Sequence, residues 1–272
     1  YDLIRLGQDY DGGYLVEKES IAKSNALLTL GLGYDWSFEK DYSKKYKKLI
    51  FCYDHTVNYS GIKKLCRKFI GSYFFRIFKP KYFLKRNFFK TLYKNIFLYR
   101  DYKIFFSKNA QHIEKRIGSG KGGITLNEIL TAKIDTSPIF LKIDIEGSEY
   151  RILDDILKYQ DKITGLVIEF HNVDLHKDLI SDFINKFSLS LCHIHGQNPS
   201  GTDYLDINND PIQVEMTFSN TKNILSTSPK IPHLLDQPAD RRFQDVKLNF
   251  VDLILAERVG FEPTVPLTVH TL

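Results

Sequence analysis

Short apolar runs of strand length alternate with helical stretches along most of this chain, and nearly every run ends in a Gly, an acid or a His. The runs are Ala26–Leu32, Leu49–Asp54, Tyr102–Ser107, Ile139–Ile145, Gly165–Phe170, Leu189–Ile194, Pro211–Ser219 and Leu248–Ala256. Helical patterns lie between them at Ser37–Lys48, Thr125–Ala132, Ser148–Lys158 and Leu179–Phe187. Such alternation predicts βαβ units and an α/β fold with a Rossmann-like, doubly wound, mainly parallel sheet. In a sheet of this kind the ligand lies beyond the carboxyl ends of the strands, near the reversal of strand order. The strand ends here carry Gly31 and Gly33, then Asp54, then Asp144 and Glu146, then Glu169 and His171, then His193 and His195.

Composition narrows the class. With 43% hydrophobic and 26% charged residues the chain is neither disordered nor fibrous. No uncharged apolar stretch reaches the roughly eighteen residues a membrane helix needs. Cys52, Cys66 and Cys192 have neither a disulfide-framework nor a zinc-ligand spacing, which fits a reducing, cytoplasmic setting. Residue 1 is Tyr and the only Met is Met216, so the natural start is expected upstream.

The net charge of +5 hides an asymmetry. Between Ile62 and Lys103 there are thirteen Lys/Arg against one acid, Asp101, a balance of +12, which leaves 5 − 12 = −7 for the remainder. The same window holds thirteen aromatic residues at helical spacing. It predicts a helical basic/aromatic insertion over about 60–100, divided at Pro80, that caps the fold near the acceptor entrance. Its Lys/Arg stems can cover its own core, and its outer face suits weak contact with an anionic membrane surface or a phosphate-bearing acceptor. A nucleic-acid-binding protein using this window is the alternative reading. The window contains no RNP, KH or zinc-knuckle pattern, so no nucleic acid is expected.

Three segments carry candidate chemistry. In Gly31-Leu32-Gly33-Tyr34-Asp35-Trp36-Ser37-Phe38-Glu39 a Gly turn follows a strand and opens a helix, which Asp35 or Ser37 can cap. Asp54 ends the next strand some twenty residues later, where an acid accepts ribose hydroxyls. In Lys142-Ile143-Asp144-Ile145-Glu146-Gly147-Ser148-Glu149, Asp144 and Glu146 are acids at a central strand end, and Glu149 reads as a first-turn acid facing a helix dipole.

The segment FLKIDIEGSEYRIL resembles the K-x-D-[VI]-E-G-x-E signature of the FkbM family of S-adenosylmethionine-dependent methyltransferases. Ile124–Leu130 is similar to that family's T-L-D-E-L element, Val167–His171 to its "viE.H" strand and His193–Asn198 to its "hiHgNN" strand end. Pro211–Phe218 resembles the "P-x-x-x-E-x-T-F" strand. Arg5-Leu6-Gly7, Asp11–Tyr14 and the G-x-G-x-D-x-S-F-E turn look like a subgroup with an altered cofactor turn. The resemblance covers about Arg5 to Phe250, less the insertion, and implies a methyltransferase domain over 1–250. It implies S-adenosylmethionine as cofactor, a class I methyltransferase sheet, and O-methylation of a small-molecule or glycan-like acceptor. Gly31, Gly33, Asp35, Ser37, Phe38, Glu39, Asp54 and Asp144 are then the expected cofactor contacts. Asp144, Glu146, His171 and His195 are the expected catalytic residues, with His171 and His195 as general-base candidates because a neutral imidazole is available near pH 7. No metal is assigned. The alternative is that Asp144, Glu169, His171 and His195 converge on Mg²⁺ or Mn²⁺. The tail, 251–272, is expected to be disordered; Glu257–Leu267 resembles peptides made when a bacterial gene reads into a neighbouring transfer-RNA gene.

Overall fold

A computed structural model describes residues 1–77, 88–108, 110–197, 205–221, 231–244, 246 and 248. Among the described residues seven strands form the central sheet, and their order follows from which apolar runs are buried on both faces. β3 (Ala26–Leu30) and β8 (Ile139–Ile143) are buried throughout and lie side by side at the centre. Outward on one side come β4 (Leu49–Tyr53) and β5 (Ala110–Ile113), both parallel. On the other side β9 (Ile163–His171) is parallel to β8, followed by the antiparallel β11 (Gln213–Ser219) and β10 (Ser190–Gly196). The order is therefore β10-β11-β9-β8-β3-β4-β5, and the winding reverses between β3 and β8. The expected doubly wound sheet is present, and its crevice opens where β3 and β8 part.

Alternate residues of the central strands feed two cores. Leu28, Leu30, Leu141, Ile143, Ile168 and Phe170 face one side, against α5 (Leu126–Ala132), α6 (Leu153–Lys158) and α7 (Val173–Lys186). Leu27, Ile50, Phe140 and Val167 face the other, against Phe38 and Tyr42 of α2 (Ser37–Tyr46) and Ile21 of α1 (Lys18–Lys23). This two-sided burial explains why the strands read as continuous apolar runs.

An N-terminal hairpin, β1 (Leu3–Leu6) with β2 (Tyr14–Glu17), lies on the second face. Thr217 Oγ1 donates to Leu15 O at 2.5 Å and Ser219 Oγ to Glu17 at 3.1 Å, tying β2 to β11. A short ladder, β6 (Arg116–Ile117) with β7 (Gly123–Ile124), precedes α5.

The strand expected at Tyr102–Ser107 is instead helix. α4 runs Phe88–Phe105, and the third parallel strand begins only at Ala110. Helical spacing wins because Leu98 and Tyr102, four apart, share one buried face, and Tyr102 packs edge-on to Trp36. α3 (Tyr59–Ile77) precedes it; Pro80 and the expected break lie outside the described residues, as does the run Leu248–Ala256 beyond Leu248. Trp36 Nε1 and Lys40 Nζ both reach Asp101, the only acid in the basic window, pinning α4 to α2. Among the described residues no helix is long and apolar enough to cross a membrane. The three cysteines are free and buried.

Helix α5 is closed by a capping box. Thr125 Oγ1 accepts the Glu128 N–H at 3.2 Å, and the Glu128 carboxylate accepts the Thr125 N–H at 2.8 Å. Thr125→Ala is expected to cost about 1 kcal/mol, read as a lower denaturation midpoint with an unchanged urea slope.

Candidate active site at the carboxyl edge of the sheet

Where β3 ends the backbone must turn sharply, and only Gly can do it here. Gly31 has φ +83°, and a Cβ on it would lie 1.6 Å from the Asp144 carbonyl oxygen. The Asp144 N–H meanwhile donates to Leu30 O at 2.9 Å. Gly33 is also left-handed, at φ +58°, but a Cβ there would meet nothing within 4 Å, so the turn opens onto free space. The space is a cavity of about 700 Å³ lined by Gly31, Gly33, Asp35, Phe38, Asp54, Asp144, Glu146, Glu169, His171 and Gln197, among others. It lies at the switch point predicted for a doubly wound sheet.

Asp54 braces this turn. One carboxylate oxygen accepts the N–H groups of Leu32 and Gly33, each at 2.9 Å, and the other accepts Thr56 N–H at 2.6 Å and its hydroxyl at 2.7 Å. Burial works to raise its pKa, yet the Thr56 hydroxyl and the three N–H groups together hold it below the ordinary value of 3.8. Asp35 accepts the Ser37 N–H at 2.9 Å across the turn, but the N-cap of α2 is Trp36, without a side-chain capping bond, so neither Asp35 nor Ser37 is the cap the sequence predicts. Ser37 Oγ is taken up by the Gln8 N–H, and Glu39 is fully buried, accepting the Thr29 hydroxyl at 2.9 Å. Neither Ser37 nor Glu39 lines the cavity, so of the expected turn contacts these are structural.

The far end of the cavity is acidic. Tyr14 Oη donates to Asp144 at 3.0 Å and to Glu169 at 3.2 Å, joining two carboxylates that lie on different strands. Burial first, then the charges of Asp144, Glu169 and Glu215, push the Tyr14 phenol far up, so it stays a donor. Burial, Asp144 and Glu215 likewise push Glu169 far above the carboxylate range, against the opposing pull of His171 and Gln213, whose amide donates to Glu169. Lys142, alternating to the same face, sets its ammonium 4.7 Å from the Tyr14 ring centre. Cross-strand register explains the row: His195 pairs with Glu215 and Glu215 with Glu169, while Gln213 pairs with His171.

His171 sits in this acid group. Its Nδ1 is 3.2 Å from Glu149, and its Nε2 is 3.5 Å from Glu169 and 3.6 Å from Glu146. Burial alone would lower its pKa, but the Glu149 hydrogen bond and the charges of Glu169 and Asp144 raise it to about 9. The imidazole is therefore charged at neutral pH, which corrects the expectation of a neutral base at this position. His195, the second base candidate, is buried behind the cavity. Its Nδ1 is 3.2 Å from Gln197 and 3.6 Å from Glu215, and it does not line the wall.

Glu149 is no surface first-turn acid. It is fully buried, and its Oε1 accepts the N–H groups of Ile145 and Gly147 at 3.1 and 3.2 Å as well as facing His171. It thereby holds a loop in which both Glu146 (φ +53°) and Gly147 (φ +89°) are left-handed, a strained state for Glu146 that turns its carboxylate outward at the cavity. Nothing in the local pattern of Glu149 announced this. Tyr14 was visible in sequence only as part of the Asp11–Tyr14 motif. The described side chains of α3 and α4 do not line the cavity, and the side chains of residues 72–95, where most of the expected cap falls, lie outside the described residues.

Residues 104–189 match the methyltransferase FkbM domain family. The matched stretch includes β8, β9 and α7, and hence Asp144, Glu146, Glu169 and His171. No curated protein matches the sequence. Among solved structures the fold is similar to the METTL16 MTase domain (8% identity, 75% of this chain and 64% of that chain, TM-score 0.38). It is also similar to the precorrin-6y C5,15-methyltransferase of Geobacter metallireducens GS-15 (11%, 74% and 84%, 0.36) and an rRNA methylase from Streptococcus thermophilus (10%, 75% and 93%, 0.36). The chain thus spans less than two thirds of the METTL16 domain, and at these scores the acceptors of those enzymes have no bearing on this one.

S-adenosylmethionine is the methyl donor of the FkbM domain, and the wall of the cavity fits it. Gly33 opens onto free space, the volume suits a ligand of that size, and the carboxylates of Asp11, Asp35 and Asp144 on the wall complement its ammonium and sulfonium charges. Two substitutions test the turn. Gly31→Ala is expected to give no folded protein, since a methyl would collide with a backbone oxygen; a native circular dichroism spectrum and melting transition would contradict the geometry. Asp54→Asn is expected to lose roughly 1–3 kcal/mol at neutral pH. Because the folded pKa is depressed, the Asp54 contribution is full above the unfolded value near 3.8 and fades as pH falls through the folded value. Urea melts should therefore show the deficit of the variant shrinking below about pH 4.

Proposed function

We propose that this protein transfers the methyl group of S-adenosylmethionine to a hydroxyl oxygen of a small, polyhydroxylated, glycan-like acceptor. The observation that carries the reading is the division of one cavity into two ends: the open glycine turn braced by Asp54, and the carboxylate-rich group of Asp144, Glu146, Glu169 and His171. Gly31, Gly33, Asp35, Phe38 and Asp54 would hold the cofactor. The sulfonium supplies an already activated methyl group, so the rate rests on aligning an acceptor oxygen in line with it.

The acidic end favours neutral hydroxyl compounds over phosphates. Asp144 and Glu146, with Asp11 and Glu215 nearby, form a field that repels phosphate, and the carboxyl oxygens of this group, Glu169 included, offer many acceptors to sugar hydroxyls. Gln197 and Gln213 on the same wall add neutral amides of the kind that bind hydroxyls. This argues against nucleic acid as the acceptor, despite Lys115 and Arg116 on the wall. Glu146 is the carboxylate positioned to take the hydroxyl proton, because its side chain is 87% exposed and lies over the group rather than within it.

Calorimetry with S-adenosylhomocysteine tests the cofactor half, and binding at one site per chain is the expected result. Asp54→Ala should weaken it by about 1–3 kcal/mol, because the turn N–H groups lose their acceptor. No binding at millimolar concentration, or unchanged affinity in the variant, would sink the assignment. Label transfer from methyl-labelled S-adenosylmethionine to a panel of glycosides and RNAs tests the acceptor half. Labelling of RNA alone would overturn the acceptor class.

A further inference from the structure

We propose that Asp144, Glu169 and His171 bind a divalent cation, of the Mn²⁺ type, at the acceptor end of the cavity. One donor atom from each of the three lies within 4.8 Å of the others, a spacing one ion can span. The donors come from the ends of the adjacent strands β8 and β9, so rigid elements rather than a surface loop set their separation.

The groups around the donors are those that orient metal ligands. Glu149 engages His171 Nδ1 at 3.2 Å and turns Nε2, the other ring nitrogen, toward Glu169. A carboxylate behind an imidazole is the usual partner of a metal-bound His, since it fixes the tautomer and strengthens the remaining nitrogen as a donor. Tyr14 donates to one oxygen of Asp144 and one of Glu169, and Gln213 donates to the other oxygen of Glu169. Carboxylate ligands held in this way keep further lone pairs for an ion.

An independent observation points to an occupant. Gln197 is 5% exposed and lines the same cavity, and its Oε1 is enclosed with no hydrogen-bond donor among the described residues. Its Nε2 is engaged by His195, which leaves the carbonyl oxygen as a buried acceptor on the same wall. A buried acceptor without a partner is costly, and an ion carrying water would remove that cost. The composition of the wall agrees: the carboxyl groups of Asp11, Asp144, Glu146, Glu149, Glu169 and Glu215 gather here and outnumber the cationic Lys142, His171, Lys115 and Arg116.

Two carboxylates and one imidazole make a mixed oxygen/nitrogen set. Mg²⁺ and Ca²⁺ prefer all-oxygen surroundings, whereas Mn²⁺ accepts one nitrogen among oxygens. With three protein donors, half of an octahedron stays open. Neighbouring hydroxyls of the acceptor could take two of those positions, and a metal-bound hydroxyl ionises more readily. That use of the ion rests on the methyltransferase reading; its binding does not.

Mn²⁺ titrated into the purified full chain, followed by the electron paramagnetic resonance of free Mn²⁺, decides the matter without cofactor or acceptor. The expected result is one bound Mn²⁺ per chain, with electron spin echo modulation from a coordinated imidazole nitrogen. His171→Ala and Asp144→Asn should each weaken binding by roughly tenfold or more. Mn²⁺ that stays free at millimolar concentration overturns the proposal, and so does a bound ion without nitrogen modulation. Wild-type affinity in both folded variants overturns it too. Both wild-type measurements stand whether or not the variants fold. Binding of S-adenosylhomocysteine to a chain that leaves Mn²⁺ free would sink the cation site and spare the methyltransferase reading.

Discussion

The site depends on one close approach. At the end of β3 the chain passes so near Asp144 that residue 31 has no room for a side chain, and Asp144 hydrogen-bonds back to Leu30. This contact fixes the separation of the two central strands at the point where the sheet reverses its winding. From it the Gly31–Gly33 turn swings away in one direction and the Asp144–Gly147 loop in the other, and the cavity is the gap between them. Asp54 and Glu149 then play matching parts. Each is a buried carboxylate that gives one oxygen to two N–H groups of one of the two turns. Both turns contain left-handed residues whose amides would otherwise point into a poorly hydrated crevice.

Such a site gathers charge that a folded chain normally avoids. Glu39, Lys142, Glu149 and Glu169 are all buried, and the sheet tolerates them because each has a partner of opposite charge or a donor. Lys142 stays charged beneath the carboxylates through Glu39, Asp144 and Glu169, although burial opposes it. Concentrated buried charge of this kind costs stability and marks positions held for chemistry rather than packing.

Much of this was legible in the sequence, and the failures have physical causes. Doubly buried strands read as apolar runs, and their ends read as Gly, Asp, Glu and His because the carboxyl edge of a doubly wound sheet is where ligands lie. The stretch Tyr102–Ser107 misled because aromatic residues suit strand and helix alike; only the packing of Leu98 and Tyr102 on α2 decides for helix. The hairpin of β1 and β2 went unseen, since four-residue strands carry too little periodicity to register. Gln213 and Glu215 enter the site through an antiparallel strand whose beginning, not its end, lies at the carboxyl edge. The buried role of Glu149 is set by His171, twenty-two residues away, and no local pattern can encode that.

The hairpin also sets an order of assembly. Tyr14 reaches Asp144 and Glu169 from a strand made early, but that strand is tied to the sheet through Thr217 and Ser219, 202 residues later. During synthesis the glycine turn, Asp54 and even the β8–β9 pair can form while the chain is still growing. The ties that hold β2 to the sheet cannot, because they wait for β11 to slot between β9 and β10. The strand that carries Tyr14 is thus secured to the sheet only when residues 202 positions downstream have been added.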